Sequence, residues 1–221
     1  MKELKKVSIF IFIIFALLVS NNKVTFANKY DVYEEILSIS NTSVIESGIK
    51  VRFTTLEENM DIVYKIKNKL ETIDESMNIS IDNERKYIEF NGKTLYGFID
   101  YSSQEGAITV QIIEKSKDLS IESLKAMIMN IINNKIQNME SFEYIKASLP
   151  NDVNLQNLNI NIEKKLSTND CKNIDSIELN NGYSSLINLN TERENQINYA
   201  LCSYTSGKYL IIGTPEIIIP Y

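Results

Sequence analysis

The side chains that could do chemistry in this chain are carboxylates, because its 221 residues include 29 Asp and Glu but no His. Histidine is the commonest general base and metal ligand, so Ser-His-Asp catalysis and a histidine-based zinc site are excluded. Hydrolysis of a glycosidic bond needs two carboxylates that face each other across the sugar. Two acidic clusters could each supply one member of such a pair: Glu57, Glu58 and Asp61, and then Glu192 and Glu194 around Arg193.

Both clusters have a simpler explanation than catalysis. The first precedes an amphipathic pattern, and acidic residues stabilise a helix N-terminus through the helix macrodipole. The second lies in the run 191–194, which is typical of a solvated loop. The sequence shows no complete catalytic constellation. It therefore predicts no catalytic residue and a protein that is not an enzyme, with a carboxylate-dependent enzyme as the alternative.

The other short motifs favour structural roles over ligand sites. Asp82-Asn83-Glu84 resembles a hairpin turn and lacks the spacing of a calcium loop. Gly213-Thr214-Pro215 lacks the glycine-lysine ending of a phosphate loop and is predicted to be a rigid bend. Lys65, Lys67 and Lys69 are predicted to lie on the solvated side of a helix, with a basic ligand-binding patch as the alternative. We therefore expect no metal and no cofactor.

Residues 1–27 have the features of a secretory signal peptide. Three lysines occur within the first six residues, and the run 7–19 is almost entirely apolar. That run is shorter than the roughly 20 residues that span a bilayer. A cut after Ala27 would have small residues at its −3 and −1 positions. The sequence predicts export to the medium or cell wall, and the alternative is a membrane anchor formed by residues 7–19.

The two cysteines, Cys171 and Cys202, both lie in the C-terminal half. Their spacing is far from C-x-x-C, so a two-cysteine catalytic or metal site is not indicated. An even pair in an exported protein suggests a disulfide. The alternative is two ordinary thiols, with Cys202 buried in a strand. The residues leave both possibilities open.

Charge argues against a nucleic-acid partner. The whole chain has 23 basic and 29 acidic residues and a net charge of −6. Removal of residues 1–27 takes away four lysines and one glutamate, which leaves a net charge of −9. Duplex DNA is held by Lys and Arg that neutralise phosphates, and a net anion is repelled from an anionic membrane. We expect no nucleic acid and no nucleotide, and a membrane contact only if the signal peptide stays uncleaved.

Apolar periodicity divides the rest of the chain into helices and strands. Spacings of three and four predict amphipathic helices at 57–75 and 124–136, and a weaker one at 155–166. Segment 30–40 fits a short helix or an extended arm. Strands are predicted at 43–55, 77–81, 86–90, 95–101, 107–114, 142–149, 174–179, 183–189, 196–205 and 208–219. Turns are predicted at Asn91-Gly92, Asn181-Gly182 and Ser206-Gly207.

This order reads β-α-β-β-β-β-α, followed by β-α-β-β-β-β. It predicts an α+β fold of two β-α-β4 units, with antiparallel sheets and helices on one face. The expected organisation is a signal peptide over 1–27, an N-terminal unit over 28–139 and a C-terminal unit over 140–221. The residues do not decide whether the two units share one sheet.

The C-terminal residues add a resemblance to a known family. Gly182-Tyr183 opens a strand, Ile197-Asn198-Tyr199-Ala200 starts the next, and Gly213-Thr214-Pro215 leads through an apolar run to Tyr221. With the N-terminal signal and the length, these segments resemble the YwmB family of exported bacterial proteins. The resemblance covers essentially the whole mature chain. It implies a TATA-box-binding-protein-like fold and a cell-envelope role in Gram-positive bacteria, and it implies no catalytic residue.

The name of that fold suggests DNA binding, which this sequence does not favour. Apolar wedges on a basic sheet bend DNA, and the aromatic residues available on these strands are Phe90, Tyr96, Phe98 and Tyr101. Such side chains in strands are predicted to lie in the core or in cross-strand pairs. Glu89, Asp100 and Glu114 on the same strands have the wrong sign for phosphate.

The leading functional expectation is a non-enzymatic, exported binding protein of the cell envelope. A sheet face left uncovered by helices would be its contact surface for an envelope protein or a wall polymer. The alternative is a carboxylate-dependent enzyme acting on cell-wall glycan or peptide. Nucleic-acid binding, suggested by fold alone, is the third and least favoured class.

Overall fold

The computed structural model describes residues 29–55, 59–102, 106–115, 121–132, 136–167, 173–189 and 196–219. Several predictions fall outside these ranges: the signal peptide, Glu57, Glu58, Glu192, Glu194, Cys171 and Tyr221. Among the described residues, no helix has the length and apolar character needed to cross a membrane.

Four helices and ten strands form in the described residues, which gives an α+β fold. The helices are α1 Lys29–Ser40, α2 Asn59–Ile73, α3 Ile121–Ile132 and α4 Leu155–Ser167. The strands of the first half are β1 Ser43–Thr55, β2 Asn78–Asp82, β3 Tyr87–Asn91, β4 Leu95–Asp100 and β5 Ala107–Glu114. Those of the second half are β6 Ile136–Leu149, β7 Asn173–Leu179, β8 Gly182–Asn188, β9 Gln196–Tyr204 and β10 Gly207–Thr214. Segment 30–40 is thus a helix and not an extended arm.

All ten strands form one antiparallel sheet in the order β2-β3-β4-β5-β1-β6-β10-β9-β8-β7. The two halves meet where β1 pairs with β6, with Ser43 opposite Ser148 and Thr55 opposite Ile136. This pairing answers the question that the residues left open, because both halves share one sheet. The expected boundary after Met139 falls within β6.

The four helices cover the same face of this sheet. Paired residues of neighbouring strands point to the same side, and alternate residues of a strand share a side. Ile49 of β1 pairs with Glu143 of β6, and Glu143 pairs with Thr214 of β10, so these three residues share a side of the sheet. Leu210 and Ile212 alternate with Thr214 along β10 and lie on that side too. Ile49 belongs to the core under α2 and α3, whereas Leu210 and Ile212 belong to the core under α1 and α4.

Each helix is amphipathic, and its apolar stripe supplies its half of the core. In α2 the stripe is Ile62, Val63, Ile66 and Leu70, and in α3 it is Ile121, Leu124, Met127, Ile128 and Ile132. Spacings of three and four place these side chains on one side of a helix with 3.6 residues per turn. Full burial of a side chain such as Ile66 or Leu70 contributes about 1.5–3 kcal/mol each to folding.

Two predicted turns are displaced by one residue. Leu179 pairs with Gly182 and Tyr204 with Gly207, so the turns are 180–181 and 205–206. Gly182 is needed inside β8, because a Cβ there would lie 1.7 Å from the carbonyl oxygen of Leu201. The glycine marks a close approach of two strands and not the turn itself.

The predicted ends of two strands were wrong. Strand β6 begins at Ile136 instead of 142, because 136–141 continues its pairing with β1. Strand β10 ends at Thr214 instead of 219, since the chain bends at residues 215–216. Proline has no N–H to donate to a ladder, so Pro215 is a natural place for the strand to stop.

The hairpin predicted at Asn91-Gly92 forms, but its turn is not these two residues, because Asn91 still pairs with Tyr96 and the loop is 92–94. The carboxylate of Asp74, the residue directly after α2, organises this loop. Asp74 Oδ2 accepts hydrogen bonds from the Thr94 N–H at 3.0 Å and its hydroxyl at 3.1 Å, and from the Leu95 N–H at 3.4 Å. Its Oδ1 accepts from the Ser76 N–H and hydroxyl. These bonds, the Ser76 hydroxyl first, hold the pKa of Asp74 well below its usual value.

Candidate functional site

The candidate functional site is the sheet surface that points away from the helices, which we call the open face. Its rows of paired residues include Glu89, Phe98, Gln111, Lys50 and Phe142. The next row contains Asp82, Tyr87, Asp100, Thr109, Arg52 and Glu140. None of the described helices packs on this side. The open face therefore combines half-buried aromatic rings with charges of both signs.

The two halves of the open face differ in accessibility. In the second half, Ala200 and Cys202 are fully buried and Ile211 is 1% exposed. The C-terminal segment 215–219 also crosses this half, since the Asn198 side-chain amide donates to the Pro215 carbonyl at 2.6 Å. In the first half, Tyr87, Phe98 and Arg52 all keep exposed surface. The N-terminal half is thus the more accessible one, although outer positions of the C-terminal half such as Ile177, 62% exposed, and Tyr204, 38% exposed, also reach solvent on this face.

A cavity of about 400 Å³ opens in this accessible half, across β2, β3 and β4. We call it the β2–β4 pocket. Its lining is polar apart from one aromatic ring: Ser80, Asp82, Arg85, Tyr87, Glu89, Asp100 and Ser102. Its volume lies in the range of small-molecule sites, but its lining is much more polar than is usual for them.

Local hydrogen bonds fix two of the three carboxylates of the pocket. Asp82 Oδ1 accepts from the N–H groups of Glu84 and Arg85 at 3.1 and 3.0 Å, which closes the turn between β2 and β3. This agrees with the hairpin turn predicted for 82–84. Asp100 Oδ1 accepts from the N–H and hydroxyl of Ser102 at 2.9 and 2.7 Å. The second oxygen of Asp82, Oδ2, lies 3.5 Å from Nε of Arg85.

The aromatic wall of the pocket is Tyr87, whose ring lies against Phe98 of the neighbouring strand. Their centroids are 5.5 Å apart and their planes differ by 20°. Offset parallel rings of this kind stabilise each other by about 0.5–1.5 kcal/mol beyond their burial. Desolvation raises the pKa of the Tyr87 phenol, and the charges of Glu89 and Asp100 raise it further. The phenol therefore stays protonated, and can donate a hydrogen bond, beside these two carboxylates.

A hydrogen-bonded cluster lies on the open face where the two halves meet. Glu46 of β1 accepts from the Tyr144 hydroxyl at 2.7 Å and from the Tyr96 hydroxyl at 3.0 Å. The Tyr144 ring crosses Gly48, where a Cβ would lie 2.3 Å from Cε1 of the ring. Burial, more than the neighbouring carboxylate, raises the pKa of both phenols. Lys115 places its ammonium 4.4 Å from the centre of the Tyr96 ring.

Of the five acidic residues singled out in the sequence, the structure describes Asp61 alone. Asp61 is exposed in the first turn of α2, which agrees with the prediction that it stabilises a helix N-terminus. The other four residues, Glu57, Glu58, Glu192 and Glu194, lie outside the described residues. Lys65 and Lys69 are exposed on α2, while Lys67 pairs with Glu71 at 2.8 Å. Within the described chain, no three acidic or thiol side chains converge as metal ligands.

The Gly213-Thr214-Pro215 motif secures the C-terminal segment to the open face. A Cβ at Gly213 would lie 2.9 Å from Cα of Ile217, so the glycine lets the returning chain approach. Thr214 donates its hydroxyl to the Gln196 carbonyl at 2.6 Å. The Thr214–Pro215 peptide bond is cis. These contacts give the motif a structural role.

The sulfur of Cys202 is buried in β9 on the open face. Burial raises the pKa of that thiol. Its expected partner, Cys171, lies outside the described residues, so the disulfide remains a prediction.

Sequence reasoning missed the β2–β4 pocket. It treated the aromatic residues as one group, whereas Phe90 and Tyr101 are buried in the core and Tyr96 and Phe98 lie on the open face. The alternation along β3, where Tyr87 and Glu89 flank the buried Ile88, was the available signal. Periodicity shows which residues share a face, but it does not show that a cavity forms there.

Comparisons with known proteins give little further information. A scan against models of protein families finds no match, and a search of curated proteins finds no significant match. Among solved structures, the crystal structure of a hypothetical protein from Staphylococcus aureus aligns over 72% of this chain with 9% identity and a TM-score of 0.24. This chain covers 44% of that protein's length. A similarity at this level carries no argument about fold or function.

Proposed function

We propose that this protein is an exported, non-enzymatic binding protein of the cell envelope, and that the N-terminal half of the open face is its contact surface. The proposal combines the export predicted from residues 1–27 with the accessible surface that the sheet presents. Its partner is an envelope protein or a wall polymer.

The observation that carries the proposal is the exposure of aromatic side chains on the uncovered face. Tyr87 and Phe98 keep part of their rings accessible, Glu89 pairs directly with Phe98, and Lys50 and Arg52 lie farther along the same rows of the open face. Aromatic and arginine side chains surrounded by polar groups are typical of the energetically important part of a contact surface. On the helix-covered face, the apolar side chains of the described strands are packed into the core and are not free for a partner.

The resemblance to the YwmB family supports the same proposal. We also propose that the ten strands and four helices correspond to the two β-α-β4 units of a TATA-box-binding-protein-like fold. In that fold the open face would be the one that bends DNA. Here Asp82, Glu89 and Asp100 lie on it, so an envelope ligand fits this surface better than a phosphate backbone.

Co-sedimentation of the purified protein with isolated cell envelopes tests the proposal. We expect Phe98→Ala and Tyr87→Ala each to lower the affinity for envelopes by about thirtyfold, since truncation of an aromatic anchor at an energetically important position costs about 2 kcal/mol. The matched control is Tyr64→Ala, because Tyr64 is 44% exposed on α2 in the helix layer. Equal retention of all three variants and the parent would contradict the proposal. Circular dichroism confirms that each variant is folded.

A further inference from the structure

We infer that the β2–β4 pocket binds a glycan whose sugars carry free amino groups. This inference rests on the proposed function and makes it more specific, because it assigns the partner to the wall polymers and names its chemistry. It combines three observations: a cavity in the accessible half of the open face, an aromatic wall, and a surplus of carboxylates.

The shape and the wall of the pocket suit a sugar ring. A cavity of about 400 Å³ holds one or two such rings and stays open to the surface, so a chain can enter and leave it. The Tyr87 ring is held by its parallel contact with Phe98 at 5.5 Å, which restrains its motion before a ligand arrives. A fixed ring offers apolar surface to the C–H groups of a sugar at a small cost in side-chain entropy. Ser80 and Ser102 add hydroxyl groups at the rim.

The charge of the pocket selects a cationic sugar over a neutral one. Asp82, Glu89 and Asp100 contribute three carboxylates against the single guanidinium of Arg85. Arg85 lies 3.5 Å from Asp82 with its side chain 85% exposed, so it offsets at most that one carboxylate. Glu89 has no hydrogen bond or ion pair to another described residue. An ammonium group on the ligand would complement Glu89 and Asp100 and would also be attracted to the Tyr87 ring face.

The spacing of these carboxylates argues for an organic cation and against a metal ion. Asp82 Oδ1 is occupied by two backbone N–H groups and Asp100 Oδ1 by Ser102. The three carboxylates do not converge on a single point in the described chain. A calcium ion needs six to eight oxygen ligands at about 2.3–2.6 Å from one centre. Separate carboxylates around an aromatic wall fit a larger ligand with its charges spread along it.

Calorimetric titration of the mature protein, residues 28–221, tests the inference with three probes of matched length. These are an oligosaccharide of glucosamine, its fully N-acetylated form, and an oligolysine. We expect the glucosamine oligosaccharide to bind at least about tenfold more tightly than either of the others. Glu89→Gln should weaken it by about tenfold, because one charge-assisted contact is lost without a change in shape. Glu122→Gln on α3 should leave it unchanged, since that exposed carboxylate lies in the helix layer.

Each other outcome would overturn the inference. Equal binding of the acetylated oligosaccharide would show that the amino groups do not contribute to recognition. Equal binding of oligolysine would show that the sugar rings do not. If neither oligosaccharide binds while envelopes still retain the protein through Tyr87 and Phe98, the inference fails and the proposed function stands. If envelope retention is also absent, both fail.

Discussion

The hydroxyl of Tyr144 in β6 donates a 2.7 Å hydrogen bond to Glu46 in β1, two residues that are 98 positions apart in the chain. Tyr144 is fully buried, and Glu46 also accepts the hydroxyl of Tyr96. The contact therefore joins strands of both halves at the β1–β6 seam. It stabilises the arrangement in which the two halves share one sheet.

We expect Glu46→Ala to lower the free energy of unfolding by about 1–3 kcal/mol, because it leaves the buried Tyr144 hydroxyl without its acceptor. Glu46→Gln should cost less, since an amide oxygen can still accept one of the two bonds. Urea unfolding followed by circular dichroism measures both changes. If Glu46→Ala unfolds at the same urea concentration as the parent, the Tyr144–Glu46 contact does not stabilise the seam.

Asp74 should make stability depend on acid pH. Its hydrogen bonds favour the charged form, so its pKa is lower in the folded chain than in the unfolded one. This stabilisation is present above the unfolded value of about 3.9 and is lost as pH falls below it. We expect Asp74→Asn to flatten the dependence of unfolding free energy on pH between about 4 and 2. The same acid dependence in both proteins would exclude this role for Asp74.

Tyr199 should make stability depend on alkaline pH. Its hydroxyl donates to Asn159 Oδ1 at 2.8 Å, and burial raises the pKa of Tyr199 to about 12. A raised pKa favours the protonated phenol in the folded state, so stability is full below the unfolded value of about 10 and falls as pH rises to about 12. We expect Tyr199→Phe to give a shallower loss in this range. The measurement is urea unfolding at a series of alkaline pH values, and an unchanged slope would contradict the expectation.

The enzymatic alternative predicts that the protein digests cell-wall material through its carboxylates. We expect the parent, Glu57→Gln and Glu192→Gln to release no soluble glycan or peptide from purified walls. Activity in the parent that is lost in either variant would establish the enzyme and remove the non-enzymatic part of the proposal.

The helices and most strands could be predicted because their signals are local. Ile62, Ile66 and Leu70 recur at helical spacing within α2, and Ile49, Val51 and Phe53 alternate within β1. The α+β class and the existence of every described helix and strand followed from such patterns, but some ends did not: the helix predicted at 124–136 is Ile121–Ile132, and Ile136 already belongs to β6. The shared sheet could not be predicted, since the residue pattern within β1 or within β6 does not show that these two strands pair with each other.

The site was harder to predict, because its residues come from separate strands. The pocket joins Asp82 at the end of β2, Tyr87 and Glu89 on β3, and Asp100 at the end of β4. Their proximity depends on the register of two hairpins, and the turn after Asn91 was itself predicted wrongly. Asp74 reshapes that turn from 20 positions away in the chain, so residues 91 and 92 alone carried a misleading signal.

The proposed function requires that the protein works outside the cytoplasm, and cell fractionation with intact-mass measurement of the native protein examines this requirement. We expect a product that begins at Asn28 in the wall fraction or the medium. If Cys171 and Cys202 form a disulfide, the same mass is lower by about two hydrogens. A full-length product in the cytosol would contradict the account.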